Sequence, residues 1–246
     1  LNYNYLIKIE NNLKAMINLY NIDIVEAKYK EALDTINKIL EIEQIDNVYK
    51  DKAFVFYKLN RIKESKEICI SYLKKNDKDL VSLNIIGQCL FHEDKYDESI
   101  KIFKKILEID PKNLSALNSL GRTYHEKREA VKAEKYYLRA LEINKLSFYV
   151  LNNIAGFYRE ELNYDKAINY YQQALSVNPN NAYIYNNLSK IYFDLNNHKE
   201  AKKSSFKAME MKGDDGDIKK TLSFIYLKDH DFEKGWDYFE GRLDLD

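Results

Sequence analysis

Proline and glycine are both scarce: two and seven residues respectively in a chain of 246. A loop-rich or sheet-rich fold spends these residues on its turns, so their shortage argues against either. Cysteine is limited to Cys69 and Cys89. Both fall in helix-patterned segments and read as buried, reduced thiols, which gives no support for an oxidising compartment. No run of about 18 apolar residues exists, so no membrane-spanning helix is expected. There is no charge excess either, with 39 basic against 39 acidic residues. That balance argues against bulk electrostatic capture of nucleic acid or an anionic membrane. His92, His125, His198 and His230 lack tight metal-ligand spacing, and no glycine loop could cradle a phosphate. The expectation is therefore no cofactor, no metal and no enzymatic activity. No targeting segment is recognisable, which leaves the cytoplasm as the default location. The chain starts with Leu1 rather than Met, so a piece of a longer protein remains an open reading.

What is present is a period. Asn84, Asn118, Asn152 and Asn186 follow one another at intervals of 34 residues. Around them runs a matching cycle of small, aromatic and proline positions, clearest in the segment 148–181. There Leu151, Ile154, Ala155 and Tyr158 share one helical face, and Tyr164, Ala167, Ile168, Tyr171, Ala174 and Leu175 share another. Leu162-Asn163 breaks the two stripes, and Pro179 ends the second by lacking an amide donor. Each unit is thus a helical hairpin, and a period held over several copies implies an array in which units bury their apolar faces against neighbours.

These hairpins resemble the tetratricopeptide repeat. Small residues recur where the two helices touch, at Gly87, Gly121, Ala155, Ser189 and Ser223, facing Ser99, Ala133, Ala167, Ala201 and Gly235. The first-helix aromatic recurs as Phe56, Tyr124, Tyr158, Tyr192 and Tyr226, with Leu90 departing. Phe103, Tyr137, Tyr171 and Phe239 supply the second-helix aromatic, and Pro111 and Pro179 share the closing position. The turn between helices, often glycine in the family, reads Asn60, Asp94, Arg128, Leu162-Asn163 and Asn196-Asn197, where Asn and Asp tolerate left-handed backbone. The resemblance implies an all-α, right-handed superhelical solenoid of about six to seven repeats over a single domain, 1–246. Irregular units fall near 13–45 and 46–79, clear ones at 80–113, 114–147, 148–181 and 182–215, and a partial one at 216–246.

In the family the first helix of each unit lines the concave face, and this placement implies a peptide groove here. Numbering each unit from its first residue, positions 2, 5, 9 and 12 lie away from the packing stripe. Position 5 holds Asn84, Asn118, Asn152 and Asn186, whose amides match both the N–H and the C=O of an extended peptide. Arg122, Arg159 and Lys190 favour carboxylates through charge-assisted bonds, and Tyr149 and Tyr183 offer flat apolar area. The partner is thus expected to be a protein or peptide, acidic in character. Three readings of the asparagine row stay open: ligand contact, inter-repeat hydrogen bonding, or no role. Single-stranded RNA binding is disfavoured by the neutral charge.

The segment 232–242 contains the only tryptophan, Trp236. It resembles the closing segment of bacterial repeat arrays that precede a glycosyltransferase-like domain, matching at Gly235, Trp236, Glu240 and Arg242. That likeness implies an alternative role, as the substrate-recruiting arm of a larger transferase. Trp236 is expected to be partly exposed for domain docking or self-association, with Phe239 packing back near Tyr226.

Overall fold

The computed structural model of the chain describes residues 3–213 and 215–241, with 3–11 as backbone only. Fourteen helices and no strand occur among the described residues. The first helices of the successive pairs are α1 (Tyr3–Val25), α3 (Asp46–Lys58), α5 (Leu80–His92), α7 (Leu114–Glu126), α9 (Phe148–Glu160), α11 (Ala182–Asp194) and α13 (Gly216–Lys228). The second helices are α2 (Tyr29–Ile42), α4 (Ile62–Lys75), α6 (Tyr96–Ile109), α8 (Ala130–Ile143), α10 (Tyr164–Val177), α12 (His198–Lys212) and α14 (Phe232–Glu240). From α3 onward each first helix begins at the first residue of its expected unit. The first pair differs, because α1 starts at Tyr3 rather than near residue 13 and is 23 residues long.

Each turn between paired helices is closed by one residue in the left-handed region: Ala27, Asn60, Asp94, Arg128, Leu162, Asn196 and His230, with φ between 57° and 61°. The N–H of that residue bonds the carbonyl three back, as in Asn60 to Tyr57, and the next N–H bonds the carbonyl five back, as in Arg61 to Phe56. This is the Schellman arrangement that satisfies the last carbonyls of a helix. Glycine adopts that conformation without steric cost, so Leu162 and Arg128 hold it at the expense of strain. Entry into the first helices is capped from side chains: Asp79, Asn113, Asn181 and Asp215 accept the N–H of Ser82, Ala116, Ile184 and Ile218. Each cap satisfies an amide that has no partner inside the helix.

Small residues at the helix contacts are buried throughout. Ser65 and Ser99 donate their hydroxyls to the carbonyls of Ala53 and Gly87, at 2.7 and 2.9 Å. Ser189 does the same to Ala201, at 2.7 Å. A Cβ on Gly87 would lie 2.6 Å from Cε1 of the fully buried Phe103. Contacts divide the chain into two compact units, 1–133 and 134–246. Within the first, α2 packs on α3, α4 on α5 and α6 on α7; within the second, α10 packs on α11 and α12 on α13. The first unit buries Tyr20, Ile36, Ile39, Val48 and Val55 in one cluster and Cys69, Ile85 and Cys89 in another. Both cysteines are free, and burial pushes the Cys69 thiol up to about 12.

At the end of the second unit, Trp236 is 52% exposed, as the sequence suggested. Its ring meets Phe239 edge-on at 5.4 Å. Tyr238 stacks on Tyr226, with ring centres 5.6 Å apart. Tyr238 and Phe239, three and four residues from Gly235, are both half-buried. Arg242, part of the resemblance at this edge, lies outside the described residues.

Candidate binding cleft

In the second unit, the first-helix faces of α9, α11 and α13 and the turn after α9 enclose a cleft of about 500 Å³. Its apolar part comes from Leu162, Phe193 and Phe224, and its cations are Arg159, Lys190 and Lys220. Glu160, Asp194 and Asp217 also line it, so its field is dipolar, and commitments among these groups decide what remains available. Asp217 is occupied twice, accepting from Lys190 Nζ at 2.7 Å and from Asn186 Nδ2 at 2.7 Å. Asp194 accepts from the Tyr164 hydroxyl at 3.2 Å. Burial, then the Asp194 charge, raises the pKa of that phenol, which keeps it a donor. Arg159 donates one guanidinium N–H to Asn187 at 2.8 Å and has others left for a ligand. Lys220 forms no ion pair among the described residues; its ammonium lies 6.0 Å from the centre of the Phe224 ring. Arg159 and Lys220 are the cations this cleft can offer.

Of the nine residues expected to contact a ligand, the cleft brings together Arg159 and Lys190. Tyr149 and Tyr183 stand exposed on α9 and α11 outside it. Lys212 donates to the Tyr183 hydroxyl at 2.8 Å and lies over the ring at 4.1 Å. Asn152 is half-buried on α9. In the first unit, Asn84, Asn118 and Arg122 are half-buried on α5 and α7. Asn84 accepts from Ser115 at 3.2 Å, Gln88 donates to Ser119 at 2.8 Å, and the Arg122 guanidinium sits 4.7 Å over Phe91.

Asn186 corrects the expectation of an accessible amide. It is 3% exposed, with its donor spent on Asp217. The cause is stacking: position 5 of one unit faces position 2 of the next, 31 residues on, as in Asn84 with Ser115 and Asn186 with Asp217. Carrying the same register one helix further than the sequence reading did names Asp217, Lys220 and Phe224 at positions 2, 5 and 9 of α13. That extension is the signal by which the remaining cleft residues could have been found.

Among the described residues no group of three or more His, Cys, Asp or Glu side chains could hold a metal ion. No described helix is long and apolar enough to cross a membrane.

The geometry agrees with comparison to known proteins. A TPR repeat-containing protein of Methanocaldococcus jannaschii is 27% identical over 95 residues, which is 39% of this chain and 17% of that protein. The chain therefore matches only a small part of that relative's length. Among solved structures, a tetratricopeptide repeat protein from Parabacteroides merdae superposes with a TM-score of 0.67 at 15% identity, over 96% of this chain and 93% of that one. Cut9–Hcn1, a hetero-tetramer of the APC/C, gives 0.72 at 14% identity, over 93% of this chain and 52% of that one. A thermophilic TPR protein of Thermus thermophilus gives 0.65 at 17% identity, over 75% and 98%. At such identities these structures speak to fold alone. The tetratricopeptide repeat family model matches residues 78–145 and 146–212, more than half of the sequence. The chain belongs to the tetratricopeptide repeat family.

Proposed function

We propose that this chain is a protein-interaction scaffold that binds an extended, acidic segment of a partner protein. The observation that carries the reading is the cleft on α9, α11 and α13, where an apolar floor of Phe193 and Phe224 lies beside Arg159 and Lys220. An aromatic or aliphatic side chain would sit on the floor, and a neighbouring carboxylate would take the charge-assisted bonds. Tyr149, Asn152 and Tyr183 extend this surface along α9 and α11, and Asn84, Asn118 and Arg122 form the corresponding surface of the first unit. Asn186 and Lys190 act within it by fixing Asp217. The scaffold acts through its surfaces without catalysis, and its two buried free thiols suit a reducing cytoplasm.

Selection of random peptides by display on the folded chain tests this. Enriched peptides should carry carboxylates beside an aromatic residue. Lys220→Glu and Phe224→Ala, both on exposed side chains, should each weaken binding about tenfold or more while leaving the melting temperature in place. Peptides that bind equally to both variants would refute the assignment.

A second reading, the recruiting arm of a larger glycosyltransferase-like enzyme, draws on the exposure of Trp236 at the end of the second unit. Its test is the reading frame beyond Asp246: a following domain of another class would sink it.

A further inference from the structure

Of the three cations that line the cleft, Lys190 is held by a carboxylate of the chain itself: its Nζ donates to Asp217 Oδ2 at 2.7 Å. The same oxygen accepts from Asn186 Nδ2 at 2.7 Å. The two donors sit in different surroundings. Asn186 is 3% exposed, so its N–H is out of a ligand's reach and anchors Asp217 on the wall between α11 and α13. The side chains of Lys190 and Asp217 are 34% and 58% exposed, which leaves their pair open to water and to a competing anion. An ion pair in such a setting is weak, because solvent screens it and two flexible side chains must be held in one geometry.

Stacking does not require this pair. It joins position 9 of one first helix to position 2 of the next. The corresponding positions elsewhere hold Gln88 with Ser115 and Gly156 with Tyr183, none of which is a cation facing a carboxylate. Their first helices still start 34 residues apart. Asn84 also keeps a contact to position 2 without any charge, accepting from the Ser115 hydroxyl at 3.2 Å. What a carboxylate at residue 217 adds is therefore an effect on the cleft.

We infer that Asp217 sets the charge selectivity of the cleft, as a tethered carboxylate that occupies Lys190 and competes there with the carboxylates of a ligand. The inference rests on the acidic-segment reading above and names the residue that tunes it. A ligand carboxylate that reaches Lys190 exchanges one charge-assisted bond for another and gains little. Asp217 stays close by on the Asn186 amide, and like charges at that separation repel. The cleft thus rewards a carboxylate at Arg159 or Lys220 and resists a further one at Lys190. Selectivity here comes from built-in opposition as well as from attraction.

The test titrates the whole chain with two acetylated, amidated peptides, Glu-Glu-Phe-Glu-Glu and its uncharged counterpart Gln-Gln-Phe-Gln-Gln, followed by amide NMR shifts. Asp217→Asn keeps an acceptor for Asn186 and removes the charge. It should bind the glutamate peptide about three- to tenfold more tightly than wild type does, with shifts on α9, α11 and α13, and leave binding of the glutamine peptide unchanged. Adding Lys190→Met to Asp217→Asn should abolish the gain, which separates release of Lys190 from the mere loss of a negative charge. Asp217→Ser, which copies the residue facing Asn84, supplies a second release of Lys190, and an unchanged melting temperature shows that folding is intact. Equal binding of the glutamate peptide by wild type and both Asp217 variants overturns the inference and leaves the acidic-segment reading standing. A gain that survives Lys190→Met also overturns it. Absence of binding to every form overturns both.

Discussion

Two glycines inside first helices should respond to the same substitution with opposite sign. Gly87 of α5 lies against Phe103, and an added Cβ would sit 2.6 Å from one ring carbon and 2.7 Å from the next. The ring is fully buried and has no free volume to yield into. In helix interiors alanine is favoured over glycine by about 0.8–1.0 kcal/mol, while overpacking a core costs about 1–3 kcal/mol. Gly87→Ala should therefore destabilise by roughly 1–2 kcal/mol net. Gly156 of α9 has only the Tyr171 hydroxyl within reach, at an ordinary 3.7 Å. There the propensity gain stands alone, and Gly156→Ala should stabilise by about 1 kcal/mol. Thermal unfolding followed by circular dichroism should show shifts of about 2–4 °C per kcal/mol, downward for the first and upward for the second. Phe103→Leu supplies the cycle that isolates the clash: combined with Gly87→Ala it should cost at least about 1 kcal/mol less than the two changes summed. Shifts of the same sign, or strict additivity in the cycle, would refute the close approach of α5 and α6 at this point.

The turn at Leu162 offers a gain, because a leucine 71% exposed holds φ at 58°. Leu162→Asn should stabilise by about 0.5–1 kcal/mol, since Asn tolerates the left-handed conformation at lower cost than leucine; an unchanged urea midpoint would show the strain to be absent. Asp79 predicts a pH dependence. Burial alone would raise its carboxyl, but bonds from Lys50 and Ser82 outweigh it and hold the pKa below its usual 3.8. A depressed carboxylate contributes stability above its ordinary value and loses that contribution as pH falls through the folded one. Asp79→Asn keeps the cap and loses the Lys50 pair, so wild type should exceed the variant near neutrality and converge with it in acid. A constant gap across pH, measured by urea unfolding, would contradict this.

The fold was legible because its information is local and repeated. Helix starts at 80, 114, 148 and 182 follow from a register that one small residue per helix keeps in phase, and stacking demands the same of every copy. The turn residue was less legible at Leu162-Asn163. Propensity would put the left-handed conformation on Asn163, yet Leu162 takes it and Asn163 caps α10 by accepting from Lys166. The Schellman geometry fixes the left-handed site by its distance from the preceding helix, and side-chain preference is overruled. The first pair departed from the register too: α1 extends back beyond the repeat unit to Tyr3.

The candidate site shows where repetition stops being informative. Position 5 is asparagine in four successive units, but position 2, which it faces, changes from Ser115 to Tyr149, Tyr183 and Asp217. Asn84 accepts from a hydroxyl, whereas Asn186 donates to a carboxylate and is buried by it. An amide that both donates and accepts can be copied by duplication and then put to different uses as its neighbour changes. Recurrence of the residue is therefore not recurrence of the role. Ligand contact must be sought where the facing residue leaves a group uncommitted: at Lys220, which has no ion-pair partner among the described residues, and on the remaining N–H groups of Arg159.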